Sequence, residues 1–311
     1  ADAAMLSRMM VPEMERKGYN RAFAAAITAG GSLVTPIIPP GIALIIYGLV
    51  ADVSIGKMFI AGLVPGLLCA VVLMFTVYLV ARKTNAKPSR KSWPTGKEVV
   101  FSLGQAWPAL FLIFAVVGGI RANIFTPTEA GAAAVLIVLA IGFFIYREMR
   151  ISHVVKALGE TARATASVML VIMASAALGW IFSMEHAGVA VANFVTSLTE
   201  NKYMFLLIIN ILLLTLGMFL EGNAILLILV PLLKPVVEHF GIDPVHFGII
   251  MIFNLSIGAF TPPVGTVMLL VCNITQVSVG NFFKQSLPLL AALLLMLTLV
   301  TYIPAISLFL V

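Results

Sequence analysis

The chain has 311 residues, of which 61% are hydrophobic and only 10% are charged, whereas soluble domains carry about 25% charged residues. This composition, with a mean hydropathy of +1.10, excludes a water-soluble globular protein. The net charge of +6 does not indicate nucleic-acid binding, because the basic residues lie between apolar segments, as in the cytoplasmic loops of membrane proteins.

Several apolar segments approach or reach the roughly 20 residues that a transmembrane helix needs. In chain order they are Met58–Val80, Ala109–Ile120, Ala130–Tyr146, Ala166–Phe182, Met204–Leu220 and Leu287–Ile303. The sequence therefore predicts an all-α polytopic membrane protein with about eight to ten membrane elements. Cys69 and Cys272 both fall within apolar segments, and no disulfide is expected there.

The distribution of charge predicts the topology. The stretch Arg82–Lys97 is rich in Lys and Arg and is placed in the cytoplasm, whereas the loops at Ala51–Gly56 and Glu238–Asp243 carry acidic residues and are placed outside. The segment Met204–Val237 must then enter and leave the membrane on the same side. We interpret it as a re-entrant helical hairpin.

An internal repeat connects the two ends of the chain. Residues recur 223 positions later in these pairs: Pro12 and Pro235, Gly18 and Gly241, Pro39 and Pro262, Pro40 and Pro263, Pro65 and Pro288. The predicted topology starts one copy from the cytoplasm and the other from outside. Inverted repeats with broken helices are a common plan of secondary transporters.

Each repeat contains a proline-rich interruption of an apolar helix, at Ala29–Gly41 and at Asn254–Thr266. Tandem prolines lack backbone donors and cannot continue a helix, so carbonyl oxygens are freed at membrane depth. Bound Na⁺ would satisfy these oxygens, since hard cations prefer oxygen ligands. The alternative is a plain proline kink whose carbonyls are satisfied by neighbouring helices or water.

The predicted hairpin tip is Glu221-Gly222-Asn223, and an ionisable group inside a membrane is a functional-site hypothesis by default. Glu221 could instead be only a cap for the following helix. Asp2 has two interpretations as well, either an anion at a helix N-terminus or part of the first ion site. The opening Ala1-Asp2-Ala3-Ala4, without an initiator Met, predicts a fragment whose first hairpin lacks its entering arm and tip.

Other polar motifs favour structural roles. Thr126 to Glu129 has the pattern of a helix capping box. The histidines His153, His186, His239 and His246 lack metal spacing and are expected at the surface. No phosphate-binding loop occurs in the sequence, so ion gradients rather than ATP are expected to drive any transport.

These motifs together resemble the large membrane subunit of TRAP (tripartite ATP-independent periplasmic) transporters. The similar segments are Ala1–Met14, Lys17–Tyr19, Ala22–Ala26, Pro36–Pro40, Tyr47-Gly48, Phe125–Gly131 and Gly258–Gly265. The resemblance implies an elevator-type transporter of the bacterial inner membrane, in which a mobile domain of hairpins and broken helices moves past a scaffold. It also implies two partners, a periplasmic substrate-binding protein and a small four-helix membrane subunit, separate or fused. Gly41 stands where a serine is expected after the paired prolines, which puts a side-chain ligand at that position in doubt.

The predicted organisation has five parts. Residues 1–56 and 203–272 form the predicted transport domain. The scaffold helices are formed by residues 57–128, which include the cytoplasmic loop, and by residues 129–202. Residues 273–311 form a C-terminal scaffold helix. The predicted Na⁺ ligands are Gly30, Gly31, Ser32, Thr35, Pro36, Glu221, Gly222, Asn223, Asn254, Ser256, Gly258, Thr261 and Pro262. The predicted substrate contacts are Asp2, Pro39, Asn223, Gly265 and Thr266.

The predicted function is Na⁺-coupled import of an organic anion such as sialic acid, a C4-dicarboxylate, a 2-oxo acid or a sugar acid. Na⁺ is the only cofactor expected, no catalytic residues are expected, and membrane lipid is a further partner. One alternative is a stand-alone divalent-anion/Na⁺ symporter. From a different class, an ion channel or an intramembrane enzyme is the other alternative, although an enzyme would need a catalytic dyad at depth.

Overall fold

The computed structural model describes residues 2–83, 95–122, 124–185 and 187–311, and in these ranges it is helical without strands. The helices are α1 (Asp2–Arg16), α2 (Arg21–Ser32), α3 (Ile42–Ala51), α4 (Ile55–Lys83), α5 (Gly96–Arg121), α6 (Pro127–Ala140), α7 (Ile151–Met184), α8 (Ala187–Leu198), α9 (Lys202–Phe219), α10 (Gly222–His239), α11 (Pro244–Phe260), α12 (Thr266–Thr275), α13 (Val279–Tyr302) and α14 (Ala305–Leu308). A π-helical turn, Ile141–Ile145, extends α6.

Six helices in the described ranges are long and apolar enough to cross a membrane, or seven if the bent α5 counts as one span. Four shorter helices in the described ranges, α3, α8, α11 and α12, are also apolar. The predicted all-α polytopic fold is confirmed. The middle of the predicted cytoplasmic loop, residues 84–94, lies outside the described residues.

The chain forms two compact units, one of residues 1–89 with 178–311 and one of residues 90–177. Within the second unit α5 packs against α6, and α5 bends by 56° between Gly96–Pro108 and Leu110–Arg121. The predicted capping box opens α6: the Thr126 hydroxyl accepts from the Glu129 N–H, and the Glu129 carboxylate accepts from the Thr126 N–H at 2.8 Å. The division into moving and static parts stays a prediction.

Within the first unit the two repeats adopt the same local conformations. Gly18 and Gly241 both have positive φ, of +88° and +60°, at the turn that follows α1 and α10. Asn20 and Asp243 cap the next helices, each accepting from two backbone N–H groups. Further along, Asp52 and Gln276 are both left-handed C-caps, and Ser54 and Ser278 each accept from a backbone N–H three residues on. The repeat inferred from prolines and glycines thus extends to residues that are not identical.

Helix α11 is the centre of this unit. Its residues from Val245 to Gly258 are all buried, and it packs against α3, α4, α9, α10 and α13. The closest approach is at Gly217 of α9 and Gly258 of α11, where a Cβ on Gly258 would lie 2.7 Å from the Gly217 backbone. Two glycines without side chains therefore bring α9 against the end of α11.

Both proline-rich stretches interrupt their helices. Helix α2 ends at Ser32 and α3 begins at Ile42, while α11 ends at Phe260 and α12 begins at Thr266. Proline has no N–H to donate and its ring obstructs the preceding turn, which explains why neither helix continues. The Pro39–Pro40 and Pro262–Pro263 peptide bonds are both cis.

Candidate functional site

A cavity of about 180 Å³ lies where both helix breaks meet the turn between α9 and α10. It is lined by residues from α2 and α3, from the start of α10, and from α11 and α12. Of the predicted site residues, those that line it are Ser32, Pro36, Glu221, Gly222, Asn223, Ser256 and Thr266. The structure therefore brings residues from both repeats to one place.

Glu221 caps α10 and also lines the cavity. Its Oε2 accepts from the Ala224 N–H at 2.9 Å, so it caps α10, and its Oε1 accepts from the Asn223 side-chain amide at 2.8 Å. The residue is nevertheless exposed and lines the cavity. A carboxylate has about four lone-pair sites, so the cap leaves capacity for a ligand.

The hydroxyls of the breaks use their hydrogens within their own helices. Ser32 Oγ donates to the Ala29 carbonyl at 2.7 Å, Ser256 Oγ to Ile252 at 2.8 Å, and Thr261 Oγ1 to Ile257 at 2.7 Å. Because the single hydroxyl proton is occupied, each oxygen can only accept or coordinate. Ser32 and Ser256 are both among the residues that line the cavity.

Each break has a pair of carbonyl oxygens beside the glycine that precedes its second half-helix. A Cβ on Gly265 would lie 2.7 Å from the Thr261 carbonyl oxygen and 3.2 Å from that of Ala259. A Cβ on Gly41 would clash with the Pro36 carbonyl oxygen and lie 3.4 Å from that of Ile38. Gly41 and Gly265 are the N-caps of α3 and α12.

The carbonyl pairs occupy equivalent positions in the repeat, since Pro36 and Ile38 precede Ala259 and Thr261 by the repeat offset of 223 residues. Within the described part of the chain, no N–H or O–H donates to these four oxygens. Unbonded carbonyls at membrane depth need a partner. Carbonyl oxygens without a hydrogen-bond donor are ligands that a hard cation can use.

Other predicted site residues point away from the cavity. Asn254 is fully buried and donates to the Asn210 side chain at 2.7 Å and to its carbonyl at 2.9 Å. Gly258 packs against α9, and Gly31 lines a separate apolar groove. The predicted residues that do not line this cavity are Gly30, Gly31, Thr35, Asn254, Gly258, Thr261, Pro262, Asp2, Pro39 and Gly265. Thr261 and Gly265 still belong to the second carbonyl pair.

Asp2 lies in the first turn of α1 and is exposed, the placement of an anion at a helix N-terminus. It is not among the residues that line the cavity. The sequence does not single out Ile38 or Ala259, and it raises Gly41 only as a doubtful side-chain ligand. These residues contribute through their backbone geometry. Among their residue types, only glycine gives a clue to that geometry in the sequence.

The expectation that the histidines lie at the surface is wrong for His246. It is 3% exposed, its Nδ1 is 2.6 Å from Ser307 Oγ, and its Nε2 is 3.3 Å from the Thr301 carbonyl oxygen. His153 and His239 are exposed, and His186 lies outside the described residues. The described residues contain no group of three or more His, Cys, Asp or Glu that could hold a metal.

The family model for the DctM component of the tripartite ATP-independent periplasmic transporters matches residues 1–306. The chain belongs to this family. It is therefore a TRAP transporter large permease of the bacterial inner membrane, and the alternatives of an ion channel and an intramembrane enzyme are excluded.

Similar TRAP permeases have several named substrates. The chain is 39% identical to the C4-dicarboxylate TRAP transporter large permease protein of Pseudomonas aeruginosa, covering 99% of this chain and 72% of the relative. It is 37% identical to the sialic acid TRAP transporter large permease protein of Vibrio cholerae, over 100% and 72%. It is also 37% identical to the isethionate TRAP transporter permease protein of Oleidesulfovibrio alaskensis, over 99% of this chain and 48% of that longer protein.

Proposed function

We propose that this TRAP permease couples Na⁺ entry to the import of a small organic anion, which it receives from a periplasmic binding protein. The observation that supports it is the cavity flanked by two equivalent pairs of unbonded carbonyl oxygens. In this proposal, one Na⁺ binds beside Pro36 and Ile38 and another beside Ala259 and Thr261.

The lining of the cavity supports coupling between cation and anion. It contains the Glu221 carboxylate and no Arg, Lys or His. Glu221 would repel a substrate carboxylate there. The favourable charge in the lining would come only from the partial positive charge at the N-terminal ends of α10 and α12. Bound Na⁺ supplies the missing positive charge, so each ligand raises the affinity for the other, as linkage requires.

The substrates named for the relatives are consistent with this site. C4-dicarboxylates, sialic acid and isethionate, named for the relatives, are all small anions. In the proposed site, Asn223 and Thr266 provide polar contacts to the substrate, because both line the cavity at the starts of α10 and α12. An elevator motion of the unit that holds the cavity, with a small membrane subunit completing the scaffold, would carry both ligands across.

Uptake in proteoliposomes tests the coupling. The permease is reconstituted with its small membrane subunit and binding protein, and uptake of the anion is compared under an inward Na⁺ gradient and an equal K⁺ gradient. We expect accumulation only with Na⁺, and equal uptake in both would refute the coupling. The anion is first identified by a thermal-shift screen of the binding protein against organic acids.

A stand-alone symporter, the remaining alternative, makes a different prediction in the same assay. Omitting the binding protein should abolish uptake at micromolar substrate if the proposal is correct. Full uptake without it would favour the stand-alone mechanism while leaving the Na⁺ sites unaffected.

A further inference from the structure

Helix α4 meets the first helix break at two of its glycines, Gly62 and Gly66. Both are buried, and residues four apart lie on the same face of a helix. A Cβ on Gly62 would clash with the Ile37 carbonyl oxygen and lie 3.4 Å from the carbonyl carbon. A Cβ on Gly66 would lie 2.6 Å from Ile38 Cγ1. The break therefore lies directly against α4 at the two positions where α4 has no side chain.

The Ile37 carbonyl belongs to the residue between the two that form the first carbonyl pair. The oxygens of Pro36 and Ile38 lie beside Gly41, whereas the oxygen of Ile37 lies against Gly62. Within the described ranges, no N–H or O–H donates to the Ile37 oxygen. The contact with α4 is therefore what limits the position of this carbonyl.

The position of the Ile37 carbonyl determines where the neighbouring oxygens point. Each peptide unit is planar, and the chain turns only at φ and ψ. A shift of the Ile37 carbonyl must change ψ of Ile37 and φ of Ile38, so the peptide units on either side move as well. The segment has little freedom to absorb such a shift, because proline fixes φ at Pro36 and at Pro39-Pro40. Holding the middle carbonyl thus holds the pair.

The helical conformation of α4 does not explain the two glycines. Glycine in a helix interior is about 1 kcal/mol less favourable than alanine, yet Gly62 and Gly66 lie with Pro65 in little more than one turn of α4. Glycine does allow another backbone to approach closely. The contact with the break explains why both positions lack a side chain.

The second repeat has side chains at the corresponding positions. Counted from the serines that precede α4 and α13, the places of Gly62 and Gly66 are taken by Ser286 and Leu290, and both are buried. A carbonyl cannot approach a helix as closely where that helix carries a side chain. We therefore expect substitutions of the two glycines to act on the first carbonyl pair alone.

We propose that Gly62 and Gly66 are positioning residues of the first Na⁺ site, an inference that rests on the proposed function. Gly62 admits the Ile37 carbonyl against α4, and Gly66 admits the Ile38 side chain. Neither glycine lines the cavity. Both act through the backbone of the break, which they hold so that the first carbonyl pair stays in place.

Equilibrium binding of radioactive Na⁺ to the purified permease with its small membrane subunit tests this role, with choline keeping the ionic strength constant. Gly62→Ala should weaken the binding of one Na⁺ about ten-fold, which corresponds to about 1.4 kcal/mol, because the added Cβ displaces the Ile37 carbonyl. Gly41→Ala, whose Cβ would clash with the Pro36 oxygen, should weaken the binding of the same ion. The two losses should not add in the double variant, because both substitutions act on one carbonyl pair. Full additivity would overturn the inference.

Gly48→Ala is the matched control. Its Cβ would also be crowded, at 2.9 Å from Ile55 Cγ1 and 3.3 Å from the Val53 oxygen, but this contact lies at the end of α3 away from the break. It should lower the melting temperature and leave the Na⁺ affinity unchanged. If Gly62→Ala does the same while Gly41→Ala weakens binding, the inference is wrong and the proposed function stands. If neither Gly62→Ala nor Gly41→Ala weakens binding, the first carbonyl pair is not a Na⁺ site and both proposals fall.

Gly66→Ala tests the second contact and decides the question if Gly62→Ala fails to fold. The added Cβ crowds Ile38 Cγ1 and should weaken the binding of one Na⁺ about three-fold, the effect of forcing a side chain away from its rotamer. Adding Ile38→Ala removes the crowded atom and should restore the affinity of wild type. An affinity that Gly66→Ala leaves unchanged, or that Ile38→Ala does not restore, would contradict a positioning role for α4.

Discussion

Replacing Gly265 by alanine should weaken Na⁺ binding by displacing the second carbonyl pair. Gly265 has φ +51°, and its added Cβ would lie 2.7 Å from the Thr261 oxygen and 3.2 Å from the Ala259 oxygen. The left-handed conformation costs an alanine about 1 to 2 kcal/mol, and the oxygens must also move by several tenths of an ångström. Loss of one charge-assisted oxygen contact costs about 1.5 to 3 kcal/mol, so the Na⁺ concentration for half-saturation should rise about ten-fold or more.

The chain offers controls that separate strain from displacement of the oxygens. Gly241 has φ +60° with nothing within 4 Å of an added Cβ, so Gly241→Ala tests the strain alone. Gly41 has φ −77° and its Cβ would meet Pro36 O, so Gly41→Ala tests the clash alone at the first pair. The assay is the Na⁺-dependent rise in melting temperature of the purified protein, with choline keeping the ionic strength constant. If Gly265→Ala lowers the melting temperature as Gly241→Ala does and leaves the Na⁺ midpoint unchanged, these carbonyls do not bind Na⁺.

Substitutions at three further positions separate the site from the scaffold. Glu221→Ala removes the cap of α10, so it should lose about 1 kcal/mol of stability and bind Na⁺ more weakly. Glu221→Gln keeps a hydrogen-bond acceptor and should lose only Na⁺ affinity. If the Na⁺ midpoints of both variants equal that of wild type, Glu221 is not part of the site. Tyr47→Phe deletes the 2.7 Å bond to the Pro244 carbonyl and should lower the free energy of unfolding by about 1 kcal/mol, measured by denaturant titration. His246→Ala should lose about 1 to 3 kcal/mol because it removes the contacts of the ring with Ser307 and the Thr301 carbonyl, yet its Na⁺ midpoint should equal that of wild type.

The features that could be predicted from sequence are those decided by local backbone chemistry. Tandem prolines end a helix wherever they occur, so both breaks follow from Pro39-Pro40 and Pro262-Pro263. The capping box at Thr126 and the turn glycine Gly18 are likewise local. The repeat became visible because these residues have few substitutes at their positions.

The features that could not be predicted depend on distant partners. His246 is buried against two other helices, where it contacts Ser307 of α14 and Thr301 of α13, 61 and 55 residues away. Asn254 turns from the cavity because Asn210, 44 residues earlier, accepts its amide. A polar residue on an apolar helix reveals no such partner in the sequence, so the sequence alone predicts a surface position for His246 and an ion site for Asn254.

The carbonyl pairs show why residue type says little about this site. Pro36 and Ile38 correspond to Ala259 and Thr261 in the repeat. The residue types differ at both positions, yet in each repeat the two unbonded carbonyl oxygens lie against an N-cap glycine. The backbone course around the prolines, rather than any side chain, places the oxygens. In the proposed function, the same breaks would therefore serve permeases for different anions, with selectivity determined by the side chains at the starts of α10 and α12.

The hydrogen bonds between repeats bear on how such a site can move. The Arg21 side chain, at the start of α2, donates to the Thr275 carbonyl at the end of α12, and Tyr47 of α3 donates to Pro244 at the start of α11. Each bond joins a broken helix of one repeat to the broken helix of the other. Because the links cross between repeats, neither break can shift alone without losing a bond. We therefore expect the two breaks and the cavity to move as one body, which an elevator motion permits and a rocking of one repeat against the other does not.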